Sequence, residues 1–350
     1  MRAFVTDGNG RGSIQETIRP ATRDSEILVR IHYVALNPGD WKLVEGNVLQ
    51  GPAPPGLIAG CDFAGTVEEP NGSRWQKGQR VSGWVRGATF EGIGSFAEFI
   101  AIEATLVFAI PDNIRLQQAS TIPAAFATAT QAMFQHLKLP EPYQINTEGS
   151  QIQFLVYGAS TSAGQYAVQL GRLSGLRVIA LASKANHDLL KRMGADFTLD
   201  YHDENWVERV KKITGGKLQY ALDNIANGNS SEKVASALMR SEGARMIALS
   251  PVGKGLIHAI NPYIDAKFMV AFTAFGKPLG EGYAIFEGAG DAIPEHKAAW
   301  KKYLQLVTKM LENGELEPNP VREVGTLDNV FEAFQLSKEG KLSAEKAVLK

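Results

Sequence analysis

From residue 152 to residue 249 the chain alternates short apolar runs with stretches of helical periodicity, and few folds accept that rhythm. Strands are expected at residues 152–157, 177–181, 197–200, 220–224 and 245–249, and another at 268–275. Helices are expected between them at 162–173, 186–193, 206–213 and 230–239. Parallel strands need long crossovers, and helices supply them. The pattern predicts the doubly wound α/β class, a parallel sheet with helices on both faces.

The first of these strands runs into a turn of small residues, Gly158-Ala159-Ser160-Thr161-Ser162-Ala163-Gly164. A helix start there offers backbone N–H groups and the positive end of its dipole, which suit a pyrophosphate. The dinucleotide fingerprint is G-x-G-x-x-G/A, and its three positions hold Gly158, Ser160 and Ala163. Serine replaces the central glycine, stays small and adds a hydroxyl donor. A strand–helix turn without a ligand has a similar local sequence, so the next strand decides. NAD sites place an acid at its end to hold the ribose 2′-OH. Here it ends in Ser183, Lys184 and Asn186, which attract a 2′-phosphate; Asp188 falls inside the following helix. NADPH is therefore expected over NADH.

Residues 1–115 read differently. Residues 26–34 alternate apolar and polar side chains, and residues 1–6, 59–67, 79–85 and 96–102 give further short strands around a turn at 70–73. This spacing predicts a barrel or sandwich. A long alanine-rich helix is expected at 117–137. Toward the end, a helix at 297–311, an extended stretch at 319–324, a helix at 327–336 and a strand at 346–349 predict a return to the first domain. The expected division is 1–115, 116–280 and 281–350, with the glycine-rich stretch 277–292 as a mobile loop.

Charge and cysteine content narrow the function. Lysine and arginine total 36 against 37 acids, a net charge of −1, so there is no basic field for nucleic acid or an anionic membrane. The single cysteine, Cys61, excludes an internal disulfide and a four-cysteine zinc lobe. No leader and no long apolar span is visible, and a cytoplasmic protein is expected. The six histidines are scattered, and neither a G-x-S-x-G elbow nor a Walker A sequence occurs. Cys61-Asp62 supplies a thiol and a carboxylate, short of the three protein ligands of a catalytic zinc, so no metal is expected.

Several motifs together resemble the zinc-independent branch of the medium-chain dehydrogenase/reductase superfamily, and within it the fungal trans-acting enoyl reductases. They are residues 35–42 (ALNPGDWK), 60–65 (GCDFAG), 77–81 (KGQRV), 94–99 (GSFAEF), 122–125 (IPAA), the turn at 158–164 and residues 340–345 (GKLSAE). In zinc-dependent members a G-H-E element holds a ligand. Here it reads Gly60-Cys61-Asp62, and the first cysteine ligand is missing. The resemblance implies a GroES-like β-barrel catalytic domain beside a Rossmann domain.

The resemblance also implies roles. Gly39, Asp40, Trp41 and Lys42 would lie against the nicotinamide half of the cofactor. Lys42 would stand on the ribose as the candidate catalytic residue. Ser160, Thr161, Ser162 and Ala163 would cradle the pyrophosphate. Ser183, Lys184, Asn186 and Tyr201 would surround the adenosine phosphate. Ala248 and Leu249 would back the nicotinamide, and Leu342 and Ser343 would close over it. Phe126, Thr128, Phe268, Val270 and Phe272 would line the substrate pocket, with Tyr263 or bulk water as proton source.

The implied activity is NADPH-dependent reduction of an activated C=C bond, as an enoyl reductase acting with a polyketide synthase in trans. A quinone oxidoreductase of the same branch, or a non-catalytic NADPH-binding protein, would use the same cofactor residues. Either a monomer or a homodimer is compatible with the resemblance.

Overall fold

Alternation of apolar and polar residues in the first third of the chain builds antiparallel strands. In the computed structural model these are β1 (Arg2–Thr6), β2 (Gly12–Glu16), β3 (Glu26–Ala35), β4 (Asp62–Glu69), β5 (Arg80–Trp84), β6 (Phe99–Glu103) and β7 (Val107–Ala109). Helix α1 (Pro38–Glu45) follows β3, and α2 (Leu116–Ser120) and α3 (Pro123–Thr130) follow β7. The structure describes residues 1–46, 51–144, 152–279 and 291–350. Two units emerge, one of Met1–Ala125 with Phe272–Lys350 and one of Phe126–Ala271.

The second unit contains β8 (Gln153–Tyr157), α4 (Ser162–Leu173), β9 (Arg177–Leu181), α5 (His187–Met193), β10 (Phe197–Leu199) and α6 (Trp206–Thr214). It continues with β11 (Tyr220–Asp223), α7 (Ser230–Ala237), β12 (Arg245–Ala248), α8 (Lys254–Ile260) and β13 (Asp265–Phe268). Its six strands are ordered β10-β9-β8-β11-β12-β13, and the paired neighbours are parallel. Chain order runs outward in both directions from the β8/β11 boundary, the Rossmann arrangement, with its switch point there. Phe154, Leu155 and Val156 are all fully buried, because helices cover both faces of the sheet. Leu155, Ile179, Trp206, Val234 and Met246 belong to one core cluster.

The first unit is completed by α9 (Pro294–Glu312), β14 (Val321–Gly325), α10 (Val330–Lys338) and β15 (Lys346–Leu349). Its seven-stranded sheet is ordered β14-β15-β3-β4-β5-β7, with β6 also on β3. The last strand is therefore an interior one, parallel to β14 and antiparallel to β3. Trp84 anchors the core: Phe272 stacks on it at 5.6 Å, and Phe275 and Trp300 lie at 4.6 and 6.3 Å. The amphipathic helix α9 also makes ion pairs, from Lys297 and Lys301 to Glu103 on β6 at 2.5 and 2.7 Å.

That cluster sets a pH dependence. Burial disfavours the Glu103 carboxylate, but hydrogen bonds from Lys297, Lys301 and Thr105 outweigh it and lower its pKa to about 2. A carboxylate with a depressed folded pKa stabilises above its unfolded value of 4.5 and loses that contribution as pH falls toward 2. Glu103→Gln is expected to cost on the order of 1 kcal/mol at neutral pH and only a small fraction of that at pH 2, where about half of the carboxylate is protonated. Urea denaturation at both pH values reads this difference, and an equal cost at both would refute it.

Three expectations need correction. The helix expected at 117–137 is broken: α2 ends at Ser120, Pro123 opens α3, and a π-helix (Gln131–His136) replaces its last turns. Proline lacks an N–H and disfavours a helical residue before it, so it starts a helix better than it continues one. The strand expected at 268–275 stops at Phe268, and Ala271–Phe275 is a 3-10 helix. Its apolar run satisfies two different cores, the sheet cluster at Phe268 and Trp84 at Phe272. The extended stretch expected at 319–324 is β14, starting two residues later. Residues 280–290 of the stretch expected to be mobile lie outside the described residues.

Candidate functional site

Helix α4 begins where β8 ends, and Thr161 is its N-cap: the hydroxyl accepts from the Gly164 amide at 3.1 Å. Gly158 has φ +70°, a left-handed conformation that glycine takes without strain. At Gly164 a Cβ atom would stand 2.4 Å from the Gly158 carbonyl oxygen and 2.8 Å from the Ala159 Cα. Only glycine lets the helix start this close to the strand. Gln165, 1% exposed, turns its side chain back and donates to the Ser160 carbonyl at 2.9 Å. Ser160, Thr161, Ser162 and Ala163 are only half-buried, so this turn is a fixed, open cradle with the helix dipole behind it.

Asp223, fully buried at the end of β11, locks the other side of the switch point. Its Oδ1 accepts from the Ile225 and Ala226 amides, both at 2.9 Å. Its Oδ2 accepts from the Ser230 and Ser231 hydroxyls at 2.8 and 2.7 Å. The held loop returns to the turn, because Asn224 donates to the Tyr157 carbonyl through its backbone at 3.1 Å and its side chain at 3.0 Å. Asp223, Asn224 and Gln165 were not singled out from sequence. Asp223 had one signal, an acid closing an apolar strand just before Asn-Ile-Ala-Asn-Gly.

Beyond β9, Asn186 donates to the Ser183 hydroxyl at 3.1 Å, and Lys184 stands exposed beside them. Asp188 turns to Lys191 at 3.7 Å, on the helix face. Tyr201, 39% exposed, lies 4.0 Å from the His202 ring and 6.3 Å from that of Tyr157. Burial, followed by Asp223 and Tyr201, raises the pKa of Tyr157. Ala248 is fully buried in the core cluster and Leu249 is half-buried after it. Phe126 is buried and packs edge-on against Tyr166 at 5.8 Å, Thr128 and Val270 are half-buried, and Phe268 leans on the core cluster. The residues expected to hold the pyrophosphate and the adenosine phosphate thus lie at the carboxyl ends of β8, β9 and β10.

The remaining expected residues, Tyr263 apart, belong to the first unit. Asn37 caps α1, and its backbone amide donates to Asp40 Oδ2 at 2.7 Å. Trp41 donates to the Ser337 hydroxyl at 3.2 Å, and the Lys42 ammonium lies 5.6 Å from the Trp41 ring. Leu342 is half-buried and Ser343 exposed, just before β15. Phe272 stacks on Trp84. Tyr263, in the second unit, is half exposed and turns about Asn261, whose Oδ1 accepts from its amide at 3.3 Å.

Beneath α1 lies a buried polar group. Asp62 Oδ1 accepts from the Ala124 amide at 2.8 Å. Asp62 Oδ2 accepts from Asn37 Nδ2 at 3.0 Å and from Lys346 Nζ at 2.6 Å. Lys346 also donates to the Thr121 carbonyl at 3.2 Å. Burial pushes the Asp40 carboxyl up to about 7, and burial and the nearby Asp40 push the Cys61 thiol well above its usual range. A zinc ion does not fit this set: one thiol is short of the three protein ligands of a catalytic site, and both oxygens of Asp62 are committed elsewhere. Among the described residues no group of three or more His, Cys, Asp or Glu is placed to hold a metal. Asn37 and Lys346 were not singled out from sequence either.

The chain is similar to known proteins. Residues 23–112 match the family described as Alcohol dehydrogenase GroES-like domain, and residues 163–267 the one described as Zinc-binding dehydrogenase. A trans-enoyl reductase of Alternaria alternata is 34% identical, over 100% of this chain and 98% of its own length. Another, from Penicillium crustosum, is 33% identical over 99% and 96%. Among solved structures, the CurK enoyl reductase superposes with a TM-score of 0.76 at 18% identity, covering 100% of this chain and 98% of its own. Among the described residues no helix is long and apolar enough to cross a membrane.

Proposed function

The chain belongs to the zinc-independent branch of the medium-chain dehydrogenase/reductase superfamily, with the fungal trans-enoyl reductases, and on that premise we propose that it reduces the activated C=C bond of an enoyl thioester with NADPH. One observation carries the choice of reaction. Kinship with trans-enoyl reductases extends over the full length, while the Gly60-Cys61-Asp62 element has its carboxylate committed to Ala124, Asn37 and Lys346. A donor set that does not fit a catalytic zinc favours reduction of an electron-poor alkene, because the acceptor's own carbonyl spreads the charge that a metal would otherwise stabilise.

When bound, the nicotinamide supplies a hydride to the β-carbon of the acceptor. The chain holds and orients. The first-turn amides of α4 and the hydroxyls of Ser160 and Thr161 support the pyrophosphate. Ser183, Lys184 and Asn186 take the 2′-phosphate, and Tyr201 flanks it. In this reading Lys42 would stand on the ribose with Gly39 and Trp41 of α1, the buried Asp40 carboxyl holding the start of that helix from within, and Lys42 would offer positive charge to the oxyanion that develops on the thioester carbonyl. As the family resemblance implies, Leu342 and Ser343 would cover the nicotinamide, and Ala248 and Leu249 would back it. The proton reaches the α-carbon from solvent. The acceptor of this reading is a chain held on the carrier domain of a polyketide synthase.

Two measurements test it. The purified chain should oxidise NADPH with crotonyl-type thioesters and not with ortho- or para-quinones. Turnover of quinones alone would replace this reading with a quinone reductase, and tight NADPH binding without turnover with a non-catalytic binding protein. Lys184→Glu should reduce the preference for NADPH over NADH about tenfold, equivalent to about 1.4 kcal/mol. An unchanged preference would remove Lys184 from the 2′-phosphate site.

A further inference from the structure

The Asp62–Lys346 pair is buried more deeply than a surface ion pair, at 0% and 3% side-chain exposure. Such a pair is rarely the best way to stabilise a core, since apolar side chains of similar volume often do as well or better. What it adds is direction. Each oxygen of Asp62 and the ammonium of Lys346 points at a different segment: Asn37 at the cap of α1, Thr121 after α2, the Ala124 amide in the first turn of α3, and β15 itself. Three of these segments lead to proposed contacts. Asn37 caps the helix of Gly39 and Lys42, Ala124 opens the helix of Phe126 and Thr128, and Lys346 follows Ser343 by three residues.

We propose that Asp62 and Lys346 are positioning residues for the reduction: from one buried point they fix α1, the start of α3 and the segment before β15. The idea rests on the enoyl reductase reading for its kinetic arm only. The pair touches no reacting atom in this scheme. It acts by holding Lys42 and the residues around the nicotinamide in a single geometry, which a displacement on the order of 1 Å would spoil.

The test uses the full chain with Lys346→Met, Lys346→Arg and the double change Asp62→Asn with Lys346→Met. Below the unfolding transition, Lys346→Met should lower kcat at least about tenfold with KM changed less than about threefold, and Lys346→Arg should recover much of it. The double variant leaves no buried charge unpaired, so it should regain thermal stability relative to Lys346→Met without regaining kcat. Recovery of kcat along with stability would overturn the proposal, as would a kcat within about twofold of the parent in Lys346→Met. Amide hydrogen exchange decides the same point without turnover. Faster exchange in Lys346→Met confined to α1, residues 121–125 and 342–346 supports positioning, while uniform acceleration across the first unit refutes it. A parent that reduces no enoyl thioester would fail the functional reading and leave the exchange result standing.

Discussion

Gly164→Ala is expected to weaken binding of the proposed cofactor, NADPH, about 100-fold, an effect of about 2.7 kcal/mol. The added methyl group would fall 2.4 Å from the Gly158 carbonyl oxygen and 2.8 Å from the Ala159 Cα. Both are backbone atoms, so no rotamer change relieves the overlap. Either α4 moves off β8 or the turn opens, and overpacking of this kind costs about 1–3 kcal/mol. Both responses displace the half-buried residues 160–163, which are proposed to hold the pyrophosphate. Fluorescence titration with NADPH measures the loss. An affinity within about threefold of the parent would show that the pyrophosphate is held elsewhere.

Asp223→Ala should destabilise the chain by on the order of 3 kcal/mol or more, and should weaken cofactor binding as well. Its carboxylate receives four hydrogen bonds, from two amides and two hydroxyls. Removing it orphans all four donors in a place where the aspartate itself is fully buried. Each buried group left unsatisfied costs about 1–3 kcal/mol, so the sum is large even if the loop relaxes. Asp223→Asn keeps the Oδ1 acceptor for Ile225 and Ala226 and sets an NH2 group against the serine hydroxyls, which can rotate to accept. It should lose less than half as much. Chemical denaturation of both variants gives the comparison. Equal losses would mean that the negative charge, and not the number of acceptors, holds the loop.

Periodicity made the architecture of the second unit legible, because burial on both faces forces continuous apolar runs such as Phe154-Leu155-Val156 and helices must cover them. It failed where one run serves two environments. Residues 268–275 look like a single strand, yet Phe268 and Phe272 pack in different cores and the chain bends between them. Composition favoured a continuous helix through the alanines after residue 117, and backbone chemistry at Pro123 overruled it.

The site divides along similar lines. Gly158 and Ser160 stand out in the sequence because a strand–helix turn of this kind tolerates few side chains, and their proposed role at a pyrophosphate follows from that. Asp223, Gln165, Asn37 and Lys346 were not, since each is polar for the sake of a partner far away in sequence. Lys346 is the sharpest example: it opens an otherwise apolar four-residue strand, and its reason is Asp62, 284 positions earlier.

The place of β15 has a consequence for how the protein is made. Residues 126–271 form a unit whose strands are contiguous in the chain, so that unit can fold while synthesis continues. The other unit joins residues 1–125 to residues 272–350 and lacks an interior strand until residues 346–349 arrive. Until then β3 has an open edge at Val34 and Ala35, and Asp62 is without its counterion. The strands before residue 126 are thus completed only by one that follows the whole second unit in the chain, and a nascent chain that has reached residue 345 would hold every strand of the parallel sheet but not the strand that closes on β3.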